Sequence, residues 1–297
     1  YYVGDTTDSK RGKFYGDVSA RLTEISTLLL FFELELNRID DAALEQAMRV
    51  PALAHYRPWI ENLRKEKPYQ LDDKLEELFL EKSQTSAAAF NRLFDETMAG
   101  LRFEGGGPTL TLEPTLNLMQ SPDEAKRKAG AEALAKTFGV NLKLFTLITN
   151  TLAKDKDISD RWRGFKDIAD ARHLSNRVEP EVVAALVESV RRNYPQLSHR
   201  YYRMKAKWLG KDHLMHWDRN APLPAEDTRE VPWAEAKDMV LSAYGAFAPQ
   251  MADIARTFFD KNWIDAPSRP GKAPGAFAHP TVPSAHPYVL LNYLGKT

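Results

Sequence analysis

Between residues 17 and 40 the apolar positions Leu22, Ile25, Leu29, Phe32, Leu36 and Ile39 recur at intervals of three, four, three, four and three. That rhythm predicts a helix with a continuous apolar stripe. Leu28, Leu30 and Phe31 widen the stripe, so the helix is expected to be buried on most sides. Shorter helical patterns follow at about 41–48, 52–65, 71–80 and 83–100. The stretch LRFEGGGPTLTLE, 101–113, breaks the rhythm, because Thr109 to Leu112 alternate and three glycines precede them. No Lys-Ser or Lys-Thr follows the glycines, so they read as a hairpin turn rather than a phosphate cradle. A small β-hairpin marking a boundary is expected there.

Further along, Ser121-Pro122-Asp123-Glu124 reads as a helix start capped by Ser121, with Pro at the first helical position. That helix is expected to reach about Phe138 and leave at Gly139. A second, at about 140–154, ends in the charged run KDKDISDRWRG. Val178-Glu179-Pro180 opens another, with Val182, Val183, Leu186, Val187 and Val190 on one side. Helix resumes at 198–209 and Gly210 ends it. Residues 213–232 read as a long connection, followed by helices at 232–246 and 249–262. Six prolines and two glycines then occupy 267–287, ahead of the apolar run Tyr288 to Tyr293. The fold class is mainly α, with a hairpin mid-chain and a short β element at the C-terminal end.

Composition narrows the function. The chain has 41 Lys plus Arg against 41 Asp plus Glu in 297 residues. Zero net charge argues against a nucleic-acid or membrane-surface protein, whose footprint is basic. With no cysteine, disulfides, thiolate metal sites and a cysteine nucleophile are all excluded. No window supplies the roughly 18 consecutive apolar residues of a membrane span. The N-terminus, YYVGDTTDSKRGKF, lacks the apolar core of a secretory leader. A cytoplasmic location is the expectation. Both ends look internal to something longer.

Candidate chemistry is sparse. His213 and His216 could share a metal with Asp212 or Asp218, but structural or exposed histidines are the better reading. His279 and His286 flank PTVPSA and either contact a substrate or tie loop backbone by hydrogen bonds. Glu33 and Glu35, two apart, face different sides of a helix and form no dyad; one is expected to pair with a cation such as Arg38. No G-x-S-x-G elbow supports serine chemistry. The basic-aromatic stretch 191–210 has Tyr194, Tyr201, Tyr202 and Trp208 at helical spacings, which points to core plus a solvated basic face rather than a stacking surface.

The segment 258–297 changes this picture. Phe258-Phe259, Trp263-Ile264-Asp265-Ala266, Gly275-Ala276-Phe277 and His286-Pro287-Tyr288 leading into VLLNYLGK resemble the oligoendopeptidase F family of zinc metallopeptidases, relatives of thimet oligopeptidase. LITNTLAKDKDISDRWRG, ARHLSNRVEPEVVAAL, HRYYRMKAKWLG and WDRNAPLP agree in order and spacing. The resemblance implies a helical, zincin-type shell around a channel that admits short unstructured oligopeptides. It also implies 1–112 as an N-terminal helical region, itself shortened, and 113–297 as the first part of the catalytic domain. In this family VLLNYLGK leads within about ten residues to a helix bearing H-E-x-x-H, whose histidines hold zinc and whose Glu is the general base. Those groups would lie beyond Thr297, so no catalytic residue or metal ligand is assigned within the chain, and zinc would belong to the parent enzyme.

What remains here is substrate binding. An edge strand ahead of the metal helix pairs with extended peptide backbone in such enzymes. GAF at 275–277 and YVLLNY at 288–293 are the candidates, or either is an interior strand. The continuous apolar run makes YVLLNY the more interior, and Gly275 would permit close backbone approach. Gly275, Ala276, Phe277, His279 and Asn292 are therefore the expected substrate-binding residues. Expected partners are oligopeptides and the missing C-terminal catalytic segment or a companion chain; by itself this chain is expected to be inactive. The alternative is a non-catalytic helical scaffold or peptide-binding module complete as it stands.

Overall fold

Asp8 accepts hydrogen bonds from the N–H groups of Lys10 and Arg11, and that cap starts a helix eight residues earlier than the apolar stripe suggests. In the computed structural model, which describes residues 1–105, 107–224 and 229–295, this helix is α1, Ser9–Arg38. It is followed by α2 (Asp41–Ala47), α3 (Pro51–Ala54), α4 (Arg57–Glu66), α5 (Asp73–Lys82) and α6 (Ala87–Gly100). Next come α7 (Leu112–Leu118), α8 (Glu124–Val140), α9 (Leu142–Arg163), α10 (Asp170–Asn176) and α11 (Pro180–Asn193). Then α12 (Ser198–Trp208), α13 (Trp233–Phe247) and α14 (Pro249–Asp260) precede strands β1 (Ile264–Pro267), β2 (Phe277–His279) and β3 (Tyr288–Tyr293). The mainly helical class and the terminal β element are as the sequence implies.

Local chemistry explains most boundaries. Asp40, Asp72 and Asp123 cap α2, α5 and α8 by accepting backbone N–H bonds. Pro180 and Pro249 sit in the first turns of α11 and α14, where a missing N–H costs nothing. Gly210, at φ +68°, follows the end of α12.

Several sequence expectations need correction. Asp123, not Ser121, caps α8, because its carboxylate reaches Ala125 N–H at 2.9 Å. The same helix runs through Gly139 to Val140, and α9 continues through the charged run to Arg163. The mid-chain hairpin reduces to one antiparallel bridge, Phe103 to Leu110, with both N–H···O distances 2.9 Å. Helix α7 begins at Leu112, so the Thr109–Leu112 alternation never becomes a strand. Gly106, in that turn, lies outside the described residues, as do 225–228 of the long connection and the terminal Lys296 and Thr297.

Helix α1 is not buried on most sides: Leu28 is 74% and Leu29 60% exposed, while Leu34 and Asn37 are shut off from solvent. The apolar face of α11 is exposed too, at Val182, Leu186, Val187 and Val190. Periodicity records which residues want burial, not which of them find a partner. Arg38 pairs with Asp73, at the start of α5, rather than with Glu33 or Glu35. In the 191–210 stretch the aromatics do not form the core. Tyr194, Tyr201 and Trp208 are half exposed, and the buried residues of α12 are Lys205 and Ala206. Lys205 can be buried because its ammonium donates to the Arg219 carbonyl at 2.8 Å.

The chain forms two compact units. One comprises 14–94 and 143–200. Its buried side chains include Leu34, Met48, Ile60, Leu63 and Ile148. Within it Arg163, at the end of α9, makes a two-pronged contact with Glu76 of α5, both bonds 2.8 Å, and Tyr69 stacks on Phe165. The other unit comprises 1–13, 95–142 and 201–297, and holds the sheet. Its core includes Phe103, fully buried and edge-on to Phe138, with Ala131, Ala133, Leu241, Ala252 and Leu290. Helices α13 and α14 pack as a pair, and α7 packs on α8.

Candidate functional site

The sheet has the order β1-β3-β2. β3 is therefore the central strand, which suits the unbroken apolar run of YVLLNY, and β2 is an edge. β3 runs parallel to β1, with Ile264 opposite Val289, and antiparallel to β2. On that side Phe277 faces Leu290, Ala278 faces Val289 and His279 faces Tyr288.

One hydrogen bond fixes which way the β2 backbone points. Val289 N–H donates to the Trp263 carbonyl, 2.9 Å, on the β1 side. In a strand the N–H and C=O of one residue point to the same side, and successive residues alternate. Val289 thus serves β1, while Tyr288 and Leu290 serve β2. Their partners Phe277 and His279 direct their backbone groups into the sheet. Ala278 directs its N–H and C=O away from β3, to the side on which no further strand pairs among the described residues. All three β2 residues are exposed.

The loop between β1 and β2 is held at nearly every step. Arg269 makes a bidentate contact with Asp265, both bonds 2.7 Å, and its Nε donates to the Gly4 carbonyl. Those two Arg269 bonds, joined by Lys272, outweigh the partial burial of Asp265 and hold its pKa at about 2. Lys272 is buried, and burial pushes its pKa down. Its ammonium donates to the Asp265 and Pro267 carbonyls and to the Asp265 carboxylate. The N-terminal segment closes this loop from outside: Thr6 N–H donates to Gly271 O and Ala273 N–H to Val3 O.

The sequence-nominated residues fall as follows. Asn292, from β3, donates through Nδ2 to the carbonyls of Ala273 and Gly275, at 3.0 and 2.9 Å. Gly275 has φ +83°, and a Cβ there would meet no atom within 4 Å. The left-handed φ is by itself a reason for glycine at this position. Of the GAF segment only Phe277 lies in β2; Gly275 and Ala276 precede the strand. His279 accepts the Thr281 N–H through Nδ1, 3.3 Å. His286 stacks flat on Trp263, ring centroids 4.1 Å apart, and Thr281 Oγ1 ties the carbonyls of Ala285 and His286. Sequence reasoning missed Ala278, Glu113, Asp265, Arg269 and Lys272. Only Ala278 carried a signal, as the alternate position of the strand. Glu113 reaches Gly275 from 162 residues away.

The metal grouping considered around His213 and His216 does not form among the described residues. Asp218 is engaged by Arg127 and Lys211, and both histidines are exposed. Among the described residues no group of three His, Asp or Glu side chains could hold a metal ion. The described residues therefore do not fit zinc.

Family comparison decides the lineage. The Oligopeptidase F model matches residues 35–103, and the Peptidase family M3 model matches residues 117–297. The chain belongs to peptidase family M3. This M3 chain is 26% identical to oligopeptidase PepF of Bacillus subtilis over 301 aligned residues, covering 99% of the chain and 43% of that protein. It shares its fold with a Bacillus anthracis protein described as an oligoendopeptidase F (TM-score 0.80, 18% identity, 100% of this chain and 53% of the other). PZ peptidase A, crystallised with an inhibitor, is similar in the same way (TM-score 0.81, 15% identity, 100% of this chain and 51% of the other). The M3 chain thus spans about half the length of the relatives it matches. Among the described residues no helix is long and apolar enough to cross a membrane.

Proposed function

We propose that this chain supplies the peptide-docking part of a zinc-dependent oligoendopeptidase that acts on short unstructured peptides, the zinc ligands lying outside these residues. The observation that carries the reading is the free β2 edge, where Ala278 offers one N–H and one C=O to an extended backbone. Pairing of that kind is sequence-tolerant, since main-chain groups give the affinity and side-chain pockets the selectivity. Phe277 and His279, on one face of β2, flank the bound backbone. Gly275, Ala276 and Asn292 shape the approach to it.

Two further features support the reading. Family M3 membership supports a peptidase as the parent protein. The exposed apolar faces of α1 and α11 suit a covering partner, either a C-terminal catalytic segment or a companion chain. A cytoplasmic setting belongs to the same proposal.

Complementation tests it. The chain alone should bind no zinc and cleave no peptide. Mixed with a polypeptide carrying H-E-x-x-H from an M3 relative, it should hydrolyse a short quenched-fluorescent peptide, and 1,10-phenanthroline should abolish the activity. Cleavage by the chain alone would overturn the assignment. Tight peptide binding without any complementation would favour a stand-alone peptide-binding module instead.

A further inference from the structure

We infer that Glu113 is a positioning residue for the β2 edge, setting the register of Ala278 through the backbone of Gly275. The inference rests on the docking reading above for its consequence, but its geometry stands apart from it.

β2 has three residues and one neighbour, and so short an edge strand is poorly held by its own ladder. Its approach is fixed instead at Gly275. The Gly275 N–H donates to Glu113 Oε1 at 2.7 Å, and the Gly275 carbonyl accepts from Asn292 Nδ2 at 2.9 Å. The two polar groups of one residue are thus gripped from two different elements, the first turn of α7 and the central strand β3. The Glu113 bond is charge-assisted, stronger than a neutral contact of the same length. Gly275 also has the left-handed φ of +83° at which the chain turns into β2. A peptide plane free to rotate there would swing the three residues that follow. Asn292 holds the 273–274 and 275–276 peptide planes through their carbonyls, and Glu113 holds the 274–275 plane between them through the Gly275 N–H.

Glu113 is a positioning residue and not a catalytic one. Its known contact is to this chain's own backbone, and α7 is itself docked on α8, so the carboxylate is presented by a packed element. The sequence offers a contrast that separates charge from shape: Glu113→Gln keeps an acceptor oxygen, whereas Glu113→Ala removes it.

The test is amide hydrogen exchange on the 297-residue chain, read by NMR, together with titration of a blocked alanine–glutamine hexapeptide. In Glu113→Ala, exchange at Gly275, Phe277 and His279 should rise about ten-fold or more, with α13 and α14 unchanged. Glu113→Gln should stay within about three-fold of wild type. Peptide affinity should fall about ten-fold in Glu113→Ala and recover in Glu113→Gln, a rescue that general destabilisation would not give. Unchanged exchange at β2, or a rise spread equally over the whole unit, overturns the inference. So does faster exchange at β2 with unaltered peptide affinity. If the wild-type chain binds no hexapeptide, the docking reading falls, and the exchange data alone decide whether Glu113 sets the strand.

Discussion

Arg127 Nη2 and Asp218 Oδ1 lie 2.7 Å apart, with side chains 3% and 0% exposed. Lys211 Nζ contacts the other carboxylate oxygen at 2.6 Å, and Met215 N–H donates to it at 3.0 Å. This cluster pins the connection after α12 onto α8. Burial works against the Asp218 charge, but the Arg127, Lys211 and Met215 donors outweigh it and hold the pKa below the usual carboxylate range. Deleting the carboxylate would strand a buried guanidinium. Asp218→Ala should therefore cost about 3–5 kcal/mol. Urea unfolding followed by tryptophan fluorescence would check this, and a loss under about 1 kcal/mol would contradict it.

Ala278→Pro tests the direction of the β2 backbone. If the Ala278 N–H faces outward, proline removes no ladder bond and the fold should survive, with the melting temperature within about 3 °C of wild type. Peptide affinity should drop about three- to ten-fold for the lost donor. Phe277→Pro removes a bond to β3 and should destabilise the sheet. Calorimetry and peptide titration of both variants decide, and the reverse order of effects would show that the alternation is inverted.

Asp265 makes the acid limb of stability. Its folded pKa of about 2 lies below the ordinary 3.8, so its contribution is fully present above pH ~4 and fades as pH falls towards 2. The full linkage is about 2 kcal/mol, but the side chain is 38% exposed. Screening reduces this to about 1 kcal/mol. Asp265→Asn should lose that much at pH 6 and converge with wild type at pH 2; a constant gap across the range would refute the assignment.

In the other unit, Glu76 takes two bonds from Arg163 and one from the Leu71 N–H, 2.9 Å. Lysine cannot make the paired contact, so Arg163→Lys should cost about 1–2 kcal/mol although the charge is kept. Thermal unfolding at low and high salt separates the terms. Geometry predicts a loss that survives in salt, whereas a loss abolished by salt would mean that only charge mattered.

The sequence and the fold agree best where structure is local. Pro180, Pro249 and the apolar intervals of α11 are read over four or five residues, and the structure reproduces those helices closely. The same local reading misplaces the α8 cap by two residues, because Ser121 and Asp123 compete for one helix start and only Asp123 reaches the free N–H of Ala125. It also turns Thr109–Leu112 into a strand, although one bridge is all the pairing that Phe103 offers.

By itself, then, the sequence indicated a mainly helical chain resembling the oligoendopeptidase F family, with GAF and YVLLNY as candidate strands and YVLLNY the more interior of the two. Helix periodicity, caps and family motifs are carried by neighbouring residues, so no long-range contact was needed to read them. Only the tertiary structure decided that Ala278 faces the open edge, that Glu113 and Asn292 grip Gly275, and that Asp218 belongs to Arg127 and not to a metal. Each of those outcomes joins residues distant in the chain. The apolar faces of α1 and α11 show the same limit, since a stripe records a need for burial and only packing determines whether it is met.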